Sequence, residues 1–172
     1  MKKYLVLLVC CSLGLGCTEE ETPLFIMDYS VEIPFFPETN TAKTLVVRDD
    51  GMRSTFDEML AENNLKPEDI QVVRVRSARL FPLDHNIDYG VMRRIEVNIF
   101  DLHDPNDLLP IADLQPLPSE DRGALDLIPG LPNILQYVEQ PVFGLDIGYS
   151  YRRPFQLNVN NVLRLELEAI GN

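Results

Sequence analysis

The sequence predicts a mainly β protein, an antiparallel β-sandwich of about seven strands with one or two short helices. Three observations predict it. Apolar and polar residues alternate with period two, best at 155–169, where Leu157, Val159, Leu163, Leu165, Leu167 and Ala169 share one face and Gln156, Asn158, Asn160, Arg164, Glu166 and Glu168 the other. Clusters of Pro, Gly, Asp and Asn separate the alternating segments. Only 54–64 carries a clear helical pattern with a start signal. Alternation gives each sheet one buried and one wet face, as antiparallel sheets have, and the helices are too few for the crossovers of a parallel sheet.

Taken in order, the folded domain is expected over 24–172. Segment 24–35 puts Phe25, Met27, Tyr29, Val31 and Ile33 on one face of a strand that Pro34 and Pro37 end. A second strand at 43–48 leads into a turn at Asp49-Asp50-Gly51, residues that accept tight-turn dihedrals. In the helix at 54–64, Thr55 and Glu58 read as a capping box, and Phe56, Met59 and Leu60 share a face. Asn63 and Asn64 fray its end, and Pro67-Glu68-Asp69 reads as a short helical turn. Strand 71–81 alternates Val73, Val75 and Ser77 against Arg74 and Arg76, then blurs at Ala78 and Leu80, the mark of a bulge. In 91–101, Val91, Ile95, Val97 and Ile99 point one way and Met92, Arg94, Glu96 and Asn98 the other, with Arg93 interrupting. The proline-rich stretch 102–118 is expected to be an extended connection with at most a short edge strand at 109–114. A weak strand at 124–128, a short helix at 133–140 and strands at 142–152 and 155–169 complete the chain. The result is immunoglobulin-like in general architecture, with a closed barrel as the alternative. The absence of Trp excludes the Trp-centred core of antibody domains.

Composition bounds the function. The 172 residues suit one domain, and 45% hydrophobic residues can fill its core. With 15 Lys and Arg against 27 Asp and Glu, the net charge of −12 repels phosphate backbones, so no nucleic-acid partner is expected.

The N-terminus carries the most specific signal. Met1-Lys2-Lys3 is a basic head, followed by apolar and small residues over 4–16. As a helix this run would span about 20 Å, short of a hydrocarbon core of about 30 Å. Residues 1–16 therefore read as a cleaved signal peptide. Leu13-Gly14-Leu15-Gly16-Cys17 resembles the lipobox of bacterial lipoproteins, in which cleavage precedes a Cys that receives a diacylglycerol thioether. Gly14 stands where that motif usually has Leu, and Leu15 where it usually has a small residue. Gly14-x-Gly16 thus also fits ordinary signal peptidase cleavage. Cysteine usage bears on the choice: Cys10 and Cys11 leave with the leader, so Cys17 would be a lone thiol unless its sulfur is modified. Thr18-Glu19-Glu20-Glu21 behind it is similar to the surface-export signal of Bacteroidota lipoproteins, and equally suits a solvated tether over 17–23. The resemblance implies lipidation at Cys17, fatty acyl chains as the membrane anchor, and an outer-membrane location exposed at the surface.

No catalytic motif stands out. His85 and His103 are the only histidines and have no zinc spacing, and neither a nucleophile elbow nor a phosphate loop is present. Asp101, Asp104, Asn106 and Asp107 form the most ligand-like stretch, with oxygens suited to calcium, although Asp, Asn and Pro also make an ordinary turn. Arg74, Arg76, Arg79, Arg93 and Arg94 fall on two strands that would form a carboxylate- or sulfate-gripping patch if adjacent, or pair with the many acids. Tyr29, Tyr89, Tyr137, Tyr149 and Tyr151 suit either a sugar-binding face or a half-buried one. The expected function is a non-enzymatic envelope module that binds a protein or glycan partner. The alternatives are an accessory subunit of an outer-membrane assembly and a hydrolase with two carboxylates.

Overall fold

The computed structural model describes residues 22–83, 87–117 and 123–171. The expected leader, Cys17 and the acidic run lie outside the described residues, as does His85. The elements are β1 (Phe25–Phe35), β2 (Leu45–Arg53), α1 (Phe56–Asn63), β3 (Ile70–Pro82), β4 (Met92–Asp101), β5 (Asp104–Leu114), β6 (Leu125–Pro129), α2 (Leu135–Val138), β7 (Val142–Tyr151) and β8 (Val159–Gly171).

Every strand pairing is antiparallel, in the order β1-β8-β3-β6-β5-β4-β7-β2. The mainly β fold with few helices is as the sequence predicts. Its two layers are joined into one eight-stranded sheet. The short β6 makes the join, pairing with β3 from Ala78 to Leu80 and with β5 at Ala112 and Asp113. The sheet curls so that β1 meets β7 across one core: Tyr29 packs edge-on to Phe143 at 5.4 Å, and Phe35 lies 4.4 Å from Tyr149.

Side chains seal the seam that backbone pairing leaves between β1 and the β7–β2 edge. The Tyr29 hydroxyl accepts from the Thr55 N–H at 3.1 Å. The Tyr149 hydroxyl accepts from the Phe36 N–H at 3.2 Å, and the Tyr151 hydroxyl donates to the Phe36 carbonyl at 3.2 Å. Deeper in, Tyr89 donates to Asn161 Oδ1 at 2.7 Å, and the Asn161 amide donates to the carbonyls of Ile33 and Val159. Burial holds the Tyr89, Tyr149 and Tyr151 hydroxyls above the ordinary tyrosine range.

Several expectations are corrected, each for a local reason. Asp49-Asp50-Gly51 does not end β2: the Gly51 N–H donates to Asp49 Oδ1, and the turn chemistry forms a bulge against β7 that sends Met52 inward. The capping box at α1 does not form, because Thr55 faces Tyr29 and Glu58 pairs with Arg53; the Ser54 hydroxyl accepts from the Phe56 N–H instead. In β4 a register shift between Met92 and Arg94 turns Met92 into the core with Ile95, Val97 and Ile99. Residues 104–114 form a full strand inside the sheet. Pro110 is tolerated there because it sits at a bulge opposite Asn98, where the ladder is already interrupted. Leu157 lies outside β8 and is 62% exposed. The bulge in β3 falls between Val75 and Ser77, and Ala78 and Leu80 then point inward.

Candidate functional site

The outer face of β1, β8, β3 and β6 carries charge in rows set by strand register. One row runs Ser30–Arg164–Arg79–Asp126 across all four strands. The next runs Asp28–Glu166–Ser77, with Arg76 at the bulge beside it. A third pairs Glu168 with Arg74. Like charges therefore stand directly opposite each other twice, Arg164 against Arg79 and Asp28 against Glu166, an arrangement that costs stability in antiparallel pairs.

Among the described residues, two open depressions lie on this face. The first, of 370 Å³, is lined by Arg76, Arg79, Arg164, Asp126 and Glu166 among others. The second, of 430 Å³, is lined by Asp28, Tyr29, Ser30, Arg164 and Glu166. They share Arg164 and Glu166 of β8 and so lie side by side across the strands. The arginines are unequally engaged. Arg74 donates from Nε to Glu168 at 2.7 Å. Arg79 approaches Asp126 at 3.5 Å in an exposed pair, which is worth little in water. The Arg164 guanidinium stacks over the Phe81 ring at 5.5 Å. Neither Arg76 nor Arg164 has a carboxylate ion-pair partner among the described residues.

Sequence reasoning finds half of this site. Arg74, Arg76 and Arg79 do share a face, but Arg93 and Arg94 do not join them, because β6 and β5 separate β3 from β4. Arg93 is the exposed extra residue at the β4 bulge, and Arg94 donates to Thr44 Oγ1. Alternation marks Arg164 only as an outward residue, since its meeting with Arg79 depends on β8 pairing with β3, which no local pattern reveals. Of the two readings of the tyrosines, the sugar-binding face is corrected, because Tyr29, Tyr89, Tyr137, Tyr149 and Tyr151 are all buried.

Asp101, Asp104 and Asp107 line a separate depression of 280 Å³ with Gln136, Tyr137 and Gln140, and Asn106 is exposed nearby. Asp101 accepts from both the backbone and the ring of His103, and the backbone hydrogen bond, then the ring, hold its carboxyl below the usual range. Among the described residues, no three His, Cys, Asp or Glu side chains are grouped to hold a metal ion.

The opposite outer face, over β2, β7 and β4, is closed by its own side chains. Phe100 lies over Gly144 with no room for a Cβ, and the Arg48 guanidinium covers the Phe100 ring at 4.7 Å while donating to Asp146 at 2.8 Å. Asn98 Oδ1 is buried beside Asp146 and has no hydrogen-bond partner among the described residues. No protein-family model matches the sequence, and no curated protein matches it.

Proposed function

We propose that the protein is an outer-membrane lipoprotein, anchored through acyl chains on Cys17 and exposed at the cell surface, whose β domain is a non-catalytic binding module. The signal-like N-terminus and the lone Cys17 support the anchor. The binding face is the pair of adjacent depressions across β1, β8, β3 and β6. One observation carries the reading: in a chain of net charge −12, register sets Arg164 against Arg79 beside Arg76 on an open surface, at a cost to stability that folding alone does not require. The lipidated full chain should recover a protein or glycan partner from detergent-solubilised envelopes, and a variant carrying both Arg79→Glu and Arg164→Glu should lose it. Equal recovery by both chains would remove the face from the account.

A specific observation favours a second reading, a hydrolase. Asp28 and Glu166 are cross-strand partners lining one depression, and a facing pair of carboxyl groups is what glycosidases use. Their face is open and does not exclude water, which favours binding over catalysis. Release of reducing sugar from an acidic oligosaccharide, abolished by Glu166→Gln, would reverse that preference.

A further inference from the structure

We propose that Arg76, Arg79 and Arg164 form an oxyanion site for the carboxylate or sulfate of an acidic saccharide, with Asp28 and Glu166 accepting hydrogen bonds from its hydroxyls. This rests on the binding-module reading and specifies the ligand. Guanidinium groups present fixed forks of N–H donors that match planar oxyanions. Here two of them face each other across β3 and β8, and a third stands at the adjacent bulge. Glu168 does not relieve them, because it is held by Arg74. An oxyanion between Arg79 and Arg164 turns their repulsion into two attractions.

The neighbouring row defines what else the ligand carries. Asp28 and Glu166 are acceptors only, and diagonal neighbours on a sheet lie about 7–8 Å apart. A ligand spanning both rows needs an anionic group and, one short step away, hydrogen-bond donors. A sugar that bears a carboxylate or sulfate beside free hydroxyls has that layout. A polyanion does not, since Asp28, Asp126 and Glu166 would repel its other charges. Stacking is not the means of recognition, because the tyrosines are in the core and Phe81 is covered by Arg164. Across four strands at about 4.8 Å spacing, the two adjacent depressions together span about 14 Å, enough for a short oligosaccharide.

The test is calorimetric titration of the mature full chain in detergent with four probes: an oligosaccharide bearing one uronate, the same sugar bearing one sulfate instead, its neutral carboxyl-reduced form, and a peptide of matched acidic charge. The expected result is binding of an anionic sugar, at least about tenfold weaker binding of the neutral form, and about a tenfold loss in Arg79→Thr and in Arg164→Thr. Binding should also weaken with added salt. Thermal melts of both variants check that they fold. Equal binding of neutral and charged sugars, or tighter binding of the peptide, would overturn the saccharide oxyanion site and leave the module reading intact. So would failure of all four probes if the double Arg→Glu variant still loses its envelope partner. Failure of all four together with unchanged partner recovery would overturn both.

Discussion

Arg79 stands opposite Arg164 at a cost to stability, and substitution separates that cost from the ligand contact proposed for it. Its pair with Asp126 is exposed, while its cross-strand neighbour is Arg164. Replacing it with a good strand former removes more repulsion than attraction. Arg79→Thr should leave stability unchanged or raise it by up to about 0.5 kcal/mol in chemical denaturation, even as it weakens binding. Gly144 is the opposite case, a residue held by packing. A Cβ there would stand 2.1 Å from Phe100 Cζ, and Phe100 is itself buried beneath Arg48. Gly144→Ala should cost about 1–3 kcal/mol by the same measurement. Tyr89→Phe should cost a similar amount, because it leaves Asn161 Oδ1 buried without its donor.

At the scale of elements, the seam between β1 and β7 is closed by tyrosine hydroxyls. Tyr149→Phe removes the acceptor of the Phe36 N–H, and Tyr151→Phe removes the donor to the Phe36 carbonyl. Each should cost about 1 kcal/mol, since Phe36 is 49% exposed and water can replace the lost partner. Amide exchange at Phe36 should speed up in Tyr149→Phe, while β8 and β3 stay protected. Which strands exist was largely legible in the sequence, because alternation in β1, β3 and β8 reports a buried face directly. What was not legible has a common cause. Bulges at Gly51 and Arg93 shift the phase of a strand without changing its composition, and Pro110 hides an interior strand because its bulge is visible only beside Asn98. The arginine site was half legible for the same reason: alternation puts Arg74 and Arg76 on one face, but Arg79 joins them only through the bulge between Val75 and Ser77, and Arg164 only through pairing across the length of the chain.

For the molecule as a whole, the buried tyrosines set an alkaline limit. Tyr89 and Tyr151 ionise in the fold only far above the ordinary range, because burial disfavours the phenolate. In the unfolded chain they ionise near pH 10. Below about pH 10 both states hold the proton and stability does not depend on these groups. Above it the unfolded chain binds fewer protons than the folded one, so stability falls as pH rises. Tyrosinate absorbance from the core should therefore appear together with loss of the β signal in circular dichroism, not before it. Charge is organised at this scale too. One outer face is closed by Phe100, Arg48 and Asp146, while on the other Arg76, Arg79 and Arg164 line an open depression, the face proposed to meet a partner. Arginine-directed covalent labelling, read by mass spectrometry in intact envelopes and on the purified lipidated chain, tests that asymmetry most directly. Labelling of Arg76, Arg79 and Arg164 should drop several-fold in envelopes while Arg53 and Arg153 label alike in both settings; equal labelling of those first three arginines, or protection of Arg53 and Arg153 instead, would contradict a binding face on β3 and β8.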